Sequence, residues 1–298
     1  MSSEVWSRES PRSSFGGMSG IGLDSAATEQ TGFGGLLREW RNARGMSQLA
    51  LSLQTGVSSR HLSFMETGRA SPSREMVVTL AQALDMPLRD RNALLQAAGF
   101  AAMYRETPLE AQAMGPVRDV INLLLRSTEP NPTFVVNRRY DVLDANDTGR
   151  WLLSTFTEDL GSFAPPHNFG RLLVSPKGIR EHVENWEDVA RKVLGRLKRE
   201  LGGAHTRDAA DEALLKTIAP TLAELGNPPH PSDALPLLVP VHLRRASLGL
   251  RLFTTIATLG TPLDVTLQEL RIEMLFPADD ESRRILETRT RAERSPQA

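Results

Sequence analysis

The residues best suited to specific chemistry form a short polar run, SSRHLSF, from Ser58 to Phe64. Within it, Arg60 can donate two hydrogen bonds to guanine N7 and O6, a contact worth roughly 1–3 kcal/mol of discrimination. The serines and the histidine can bond base edges or phosphates, and the phenylalanine can contact a thymine methyl group. The run therefore predicts recognition of double-stranded DNA.

The neighbouring residues extend this candidate surface. Gln48 stands at the start of the preceding predicted helix, where it is placed to donate to a phosphate with help from the helix dipole. Ser58 is expected to cap its own helix, whereas Arg60 is open between a base contact and a solvated surface position, and Phe64 between a base contact and the core. For Glu66 we expect an orienting salt bridge to a neighbouring arginine. The candidate DNA-binding residues are Gln48, Ser58, Ser59, Arg60, His61, Ser63, Phe64 and Arg69.

The sequence offers no comparable set for catalysis or metal binding. Its six histidines, at 61, 167, 182, 205, 230 and 242, include no pair at the spacing of an HExxH motif. The absence of cysteine excludes disulfides, iron–sulfur clusters and thiolate zinc sites. There is no GxSxG or Walker motif. We therefore expect no enzyme, no catalytic residue, no metal and no cofactor.

Short amphipathic helices must position the polar run. Between residues 35 and 99, glycines stand where helices should end and serines where the next should begin: Gly45, Gly56 and Gly68, and Ser47, Ser58 and Ser73. The spacing predicts five helices, of which 48–55 and 58–67 form a helix-turn-helix. In the helix over 48–55, Leu49, Ala50 and Leu53 are predicted to face the core. This part is predicted to be all-α.

The pattern changes after residue 117. A helix over 117–126 precedes two short strands, 133–136 and 140–145, around the turn Asn137-Arg138-Arg139. Helices are predicted over 147–156, from Ser175 to about 197, and over 206–225. Three further strands, 237–243, 250–259 and 271–276, follow, with a turn at Gly249 between the first two. This predicts an α+β domain with an antiparallel sheet and helices packed to one side.

Composition is that of an ordinary two-domain soluble protein of 298 residues, 40% hydrophobic and 24% charged. The net charge is −1, but residues 35–91 hold eight arginines against five acids, a local charge of +3. We expect a disordered tail (1–32), a DNA-binding domain (33–99), a connector (100–116), a second domain (117–280) and a charged C-terminal tail (281–298). No apolar run approaches the ~18 residues of a membrane span, and no secretory signal is evident, so the expected location is the cytoplasm.

The run GMSQLALSLQTGVSSRHLSFMETGRASPSREMVVTLAQALDMPLRDRNALLQAAGF resembles the Cro/C1-type (Xre) helix-turn-helix. Within it, SSRHLSFMETGRASPSREM and PLRDRNALLQAAGF resemble the subgroup with a C-terminal MmyB-like ligand-binding domain. The second domain agrees in EPNPTFVVNRRYDVLDAN, in the NW of HVENWEDVARKVL and in TIATLGTPLDVTLQELRIEMLFPAD, so the resemblance spans about residues 35–280.

This resemblance implies a bacterial transcriptional regulator. Its second domain would have a PAS-like fold around a hydrophobic cavity, in which a family member holds a fatty acid. One departure is Thr133-Phe134, where the family often has Pro-Ala or a similar pair. A bulky phenylalanine there predicts a shorter or reshaped cavity.

The candidate ligand-binding residues are Asn146, His242, Arg244, Arg245, Arg251 and Ile256. Asn146 either caps a helix or contacts the ligand, and His242 or one of the three arginines, near strand ends, could meet a carboxylate head group. An aliphatic inner sheet face is expected from Val142, Leu143, Leu252, Ile256, Leu259 and Ile272. Alternating residues do not distinguish a cavity from a dry core.

Two functions follow from these observations. The first is a homodimeric, sequence-specific transcriptional regulator that binds double-stranded DNA and senses a small, fatty-acid-like molecule. The alternative is an antitoxin-like interaction protein in which the helix-turn-helix binds a protein partner and no small molecule is sensed.

Overall fold

The computed structural model of the chain describes residues 32–202, 206–226, 240–260 and 262–294. The tail expected over residues 1–32 lies outside the described residues except for Gly32.

Five short helices form the N-terminal part, as the capping pattern predicts: α1 (Phe33–Ala43), α2 (Gln48–Thr55), α3 (Ser59–Glu66), α4 (Arg74–Ala83) and α5 (Leu88–Ala97). The glycine after α2, Gly56, has a φ of 72°. A residue without a β-carbon adopts this conformation readily, so the chain can turn sharply from α2 into α3.

The core of this part is made of side chains that all five helices bury, among them Leu37, Leu51, Leu62, Met65, Leu80 and Leu94. The prediction for α2 was wrong at two positions, because Leu49 and Leu53 are 61% and 79% exposed. Leu51 is the buried leucine, and it lies on the opposite side of the helix. In a helix of only two turns, two leucines four residues apart lie on one face, but their spacing does not indicate whether that face points to the core or to the solvent.

The rest of the described chain is α+β. Its helices are α6 (Gly115–Ser127), α7 (Asp147–Phe156), α8 (Phe169–Val174), α9 (Trp186–Glu200), α10 (Ala209–Leu225), α11 (Val265–Glu269) and α12 (Asp280–Arg294). Its strands are β1 (Thr133–Val136), β2 (Val142–Ala145), β3 (Pro240–Arg245), β4 (Leu248–Thr258) and β5 (Arg271–Pro277). Neighbouring strands are antiparallel in the order β2-β1-β5-β4-β3, which confirms the predicted PAS-like fold class.

Helices cover both faces of this sheet, not one face as predicted. Phe134 and Val136 belong to the large core that α7, α8, α9 and α10 complete. Val135, between them, packs instead with Ile121 and Leu125 of α6. Successive strand residues point to opposite faces, so α6 covers the second face. We call the face of Phe134 the inner face and the face of Val135 the outer face.

Three local expectations are corrected. The long helix expected from Ser175 begins only at Trp186, because Val183 forms an isolated bridge with Leu243 of β3 and the chain follows the sheet edge there. The turn between β3 and β4 lies at Ala246, with a φ of 52°, rather than at Gly249, which is paired in the ladder. The segment expected as a charged tail is helical in α12, where Leu286 is fully buried.

Candidate DNA-binding surface and second-domain sites

Two serine caps fix the turn between α2 and α3. The hydroxyl of Ser47 accepts a hydrogen bond from the Ala50 amide at 3.0 Å, and the hydroxyl of Ser58 accepts one from the His61 amide at 3.2 Å. Each cap satisfies an amide that the first turn of a helix otherwise leaves without a partner. Ser58 thus has the capping role expected for it, and α3 begins at a defined residue.

A buried carboxylate joins α3 to α1 and α2. Arg41 donates from Nε and Nη2 to the two carboxylate oxygens of Glu66, at 2.6 and 3.0 Å, and the amide of Gln48 donates to the same carboxylate at 2.8 Å. Burial acts to raise the pKa of Glu66, but the hydrogen bonds from Arg41 and Gln48 outweigh it and leave the pKa below its ordinary value. The orienting salt bridge expected for Glu66 is present.

The exposed side of α3 presents a cation. Arg60 is exposed, forms no ion pair with another described residue, and lies with its guanidinium carbon 5.4 Å from the ring centre of Phe64. Phe64 is half-buried and lies outside the cluster of buried core residues. Ser59, His61 and Ser63 are also half-buried, while Arg69 is exposed just beyond α3. The surface can offer a guanidinium fork and hydroxyls to a DNA groove.

In the second domain, Asn146 has a structural role. Its side-chain oxygen accepts from the Gly149 amide at 2.8 Å, which caps α7, and from the Thr133 amide at 3.0 Å. Its side-chain amide donates to the Asn131 carbonyl at 2.8 Å. Of the two roles open to this buried residue, the structure shows the cap.

Two of the candidate arginines are also occupied by protein groups. Arg245 donates from Nη1 to the carbonyl oxygens of Thr155 and Thr157 at 2.7 and 3.1 Å, at the end of α7. Arg244 pairs with Glu184. Both side chains therefore hold neighbouring segments in place.

The structure does not bring the remaining candidates to one site. His242 is paired with Arg251 across β3 and β4, so the two share a face. Arg251 alternates with Leu250 and Leu252, which are buried in the inner core, so this pair belongs to the outer face. Ile256 has the parity of Leu252 and lies on the inner face. The six candidates thus do not form a single ligand contact set.

The aliphatic set expected on one face is also divided. Val142 and Leu252 pack into the inner core, whereas Leu259 packs with α6. Ile272 is paired with Val135 and so lies on the outer face, and Leu143 is partly exposed. The sequence pattern predicted the alternation of residues within each strand. It did not predict the register between strands, which decides which residues of different strands share a face.

A charged cluster on the inner face was missed. The hydroxyl of Tyr140 accepts from Nη1 of Arg196 at 3.1 Å, and Glu200 lies within 3.3 Å of Arg196 and 3.1 Å of Arg271. Glu273 lies opposite Ile256 in the ladder and interacts electrostatically with Tyr140. Burial raises the pKa of Glu273 despite the influence of Tyr140, Arg196 and Arg271. The signal available was a glutamate within the apolar strand sequence IEMLF.

The described residues contain no helix that combines the length and apolar character of a membrane span. The same residues contain no group of three or more histidine or acidic side chains arranged to hold a metal ion.

Two protein-family models match the chain. Residues 37–90 match the helix-turn-helix family HTH_3, and residues 117–288, more than half of the chain, match the MmyB-like transcription regulator ligand binding domain. These are families of transcription regulators, not of enzymes. A comparison with curated protein sequences gave no match.

Similar solved structures include the restriction-modification controller protein C.AhdI from Aeromonas hydrophila, at 32% identity, and an HTH_3 family transcriptional regulator from Vibrio cholerae, at 28%. Each covers 22% of this chain with a TM-score of 0.20. The match spans 98% of the first protein but 36% of the second, about a third of its length. With an α2–turn–α3 unit before an α+β domain, and both family models in the same order, the chain belongs to the family of transcription regulators with an MmyB-like ligand-binding domain.

Proposed function

We propose that this regulator recognises a specific DNA sequence by inserting α3 into the major groove. The observation that carries the proposal is the fixed, exposed position of Arg60 on a helix that Ser58 caps and Glu66 ties to α1 and α2. A preorganised arginine loses little conformational freedom on binding, so its bidentate contact to guanine discriminates well.

The other candidates take supporting roles in this proposal. Ser59, His61 and Ser63 contact base edges or phosphates, and Phe64 contacts a thymine methyl group. Gln48 and Arg69 bind phosphates; one amide hydrogen of Gln48 is donated to Glu66, and the other has no partner among the described residues. Phosphate contacts set the position of α3 on the duplex, whereas base contacts set the sequence.

The experiment begins with DNA selected from a random pool by the full-length protein. Arg60→Ala should weaken binding to the selected duplex by about 10- to 100-fold, the equivalent of one bidentate base contact. Arg60→Lys is the matched variant, since it keeps the charge but removes the fork; it should lose most of the discrimination between selected and scrambled duplexes. If both variants discriminate like the wild type, α3 is not the recognition helix.

We further propose that the protein acts as a homodimer in the cytoplasm. Helix-turn-helix proteins commonly bind two half-sites about one helical turn apart, so the selected sequences should be inverted repeats with that spacing. A single half-site, bound by one copy with full affinity, would contradict this.

For the second domain we propose a small hydrophobic ligand with an acidic head group, such as a fatty acid, on the inner face beside Ile256. Support comes from the position of two cations: Arg196 and Arg271, which both pair with Glu200, share the inner face with Ile256, whereas His242, Arg244 and Arg251 belong to the outer face. Phe134, fully buried against Phe169 with ring centres 5.1 Å apart, limits the space at one end.

Binding can be measured by titrating delipidated protein with saturated fatty acids and with the matching fatty alcohols. Arg196→Gln should weaken binding of the acid about tenfold, since it removes a charge-assisted hydrogen bond, and should leave binding of the alcohol unchanged. Equal losses for acid and alcohol would contradict a carboxylate contact at Arg196.

One observation favours the alternative function. Leu49 and Leu53 are exposed four residues apart on α2, and a surface pair of leucines fits contact with another protein. Under this alternative the helical part binds a protein partner. A steep fall of DNA affinity with salt concentration, together with a selected sequence, would exclude it.

A further inference from the structure

The N-terminus of α5 is completed by the second domain. Pro87 precedes the helix and has no side chain that can cap it, and the Leu88 amide donates instead to the side-chain oxygen of Gln268 at 2.6 Å. One residue further on, Arg89 donates from Nε and Nη2 to both carboxylate oxygens of Glu269, at 2.7 and 3.0 Å. A bidentate arginine–carboxylate pair is among the stronger and more directional polar contacts in proteins.

The connector between the two domains is fastened to the same segment. Thr107 donates from its hydroxyl to Asp264 at 2.6 Å, and the Val265 amide donates to the Arg105 carbonyl at 2.8 Å. A second carboxylate, Glu106, accepts from Nη1 of Arg89 at 3.0 Å. Residues 264–269 therefore contact both α5 and the connector.

Glu269 also faces the interior of the second domain. Nε of Arg138 lies 3.7 Å from its second carboxylate oxygen. Arg138 stands in the turn between β1 and β2, is buried, and pairs with the fully buried Asp211 at the start of α10. Glu269 is thus shared between a guanidinium of the DNA-binding domain and one of the ligand-binding domain.

The turn that carries Arg138 also reaches the inner face. Two residues on, Tyr140 has a φ of 64°, an unfavourable conformation for a residue with a β-carbon, and its buried ring reaches Arg196 and Glu273. A change on the inner face that moves Tyr140 therefore moves Arg138 as well, because the two are held in one tight turn.

We propose that Glu269 is the coupling residue between the two domains. Ligand-dependent movement of the β1–β2 turn changes the interaction of Arg138 with Glu269. This in turn changes how strongly Glu269 binds Arg89 and so holds α5. The proposal rests on the ligand-responsive DNA binding proposed above. Coupling between two sites requires contacts to both of them, and Glu269 contacts Arg89 of the DNA-binding domain and Arg138 of the ligand-binding domain.

The first arm of the test uses DNA-free, full-length protein and hydrogen exchange. Glu269→Gln removes the shared charge but leaves Glu106 on Arg89 and Asp211 on Arg138, so the chain should fold. Exchange of the first amides of α5 and of the turn over residues 137–140 should both accelerate about tenfold, the loss of one charge-assisted contact. Glu106→Gln is the matched control, because it also removes a carboxylate from Arg89 but lies in the connector and not in the second domain. It should leave exchange of the turn unchanged.

The second arm adds the selected DNA duplex. In the wild type, DNA binding should slow exchange in the turn over 137–140 at least twofold, since coupling acts in both directions, and in Glu269→Gln this effect should vanish. Unchanged exchange in the first arm, or equal protection by DNA in both proteins, overturns the proposal. Failure to select any DNA would overturn the proposed function, while the first arm would still decide whether Glu269 links α5 to the turn.

Discussion

At the scale of single residues, Glu66 holds together the helices that carry the DNA-binding surface. A carboxylate is unfavourable both in an apolar core and near DNA phosphates, yet Glu66 is buried close to the proposed DNA-binding face. Arg41 and Gln48 compensate, and in doing so they tie three helices together through one side chain. Gln48 is thereby held in the position from which we propose that it contacts a phosphate.

We predict that Glu66→Ala lowers the free energy of unfolding by about 3 kcal/mol, because it leaves the buried guanidinium of Arg41 without its partner. The double variant Arg41→Met with Glu66→Leu should recover most of this loss, since apolar side chains of similar size need no partner. Urea unfolding of the single and double variants measures both. A double variant as unstable as the single one would show that the ion pair itself, not the unpaired charge, matters.

The sequence predicted the roles of some of these residues and not of others. That Glu66 would pair with an arginine followed from its like charge to phosphate, but the choice of Arg41, 25 positions away, depends on how α1 crosses α3. The capping role of Asn146 was one of two open alternatives, since a strand-ending asparagine fits either. Glu273 was not predicted as a site residue. The alternation of residues in a strand indicates on which face a side chain lies, but not whether the side chains packed against that face are polar or apolar.

At the scale of elements, the close approach of α1 to α3 depends on Gly34. A β-carbon at this position would lie 2.4 Å from the carbonyl oxygen of Met65 and 2.8 Å from that of Glu66. Both are backbone atoms at the end of α3, so they cannot move aside as a flexible side chain would.

Gly34→Ala should therefore destabilise the protein by about 1–3 kcal/mol, as expected for overpacking, and should also displace α3. Gly32→Ala is the control, because no atom lies within 4 Å of a β-carbon there and the loss at this N-cap should stay below about 1 kcal/mol. Urea midpoints and DNA affinity of the two variants test this. Equal effects would mean that the contact with α3 does not limit position 34.

Element boundaries were most predictable where a residue acts locally. Serine caps and glycines with positive φ gave the limits of α2 and α3, since both act within one turn of the helix. The start of α9 was not predictable in this way, because Val183 is drawn into a bridge with a strand about 60 residues later. The helical character of α12 was hidden by its many charged residues, although Leu286 among them is fully buried in the core.

At the scale of the whole molecule, the inner face of the sheet carries a cluster of charged side chains. Tyr140, Arg196, Glu200, Arg271 and Glu273 come from the turn, α9 and β5. Burial raises the pKa of both Glu200 and Glu273. A carboxyl group whose pKa is higher in the folded than in the unfolded state binds more protons when folded, so stability decreases as the pH rises from the unfolded pKa to the folded one.

We accordingly expect Glu273→Gln to be more stable than the wild type at neutral pH. The difference should disappear below the ordinary glutamate pKa of about 4.3 and grow as the pH rises through the raised pKa of Glu273. Glu110→Gln, at an exposed connector position, should show no such trend. Urea unfolding between pH 4 and pH 8 gives the comparison. A difference that shrinks with rising pH would contradict the sign.

The cap that Gln268 supplies to α5 has a consequence for engineering. Because the donor and acceptor lie 180 positions apart, the helix-turn-helix unit does not contain every group that its last helix needs. A fragment ending near residue 100 should fray at α5, and a chimera that joins this unit to an unrelated sensor should inherit the same defect. Replacing Pro87 with serine or aspartate would give such a fragment a cap of its own and make the module portable.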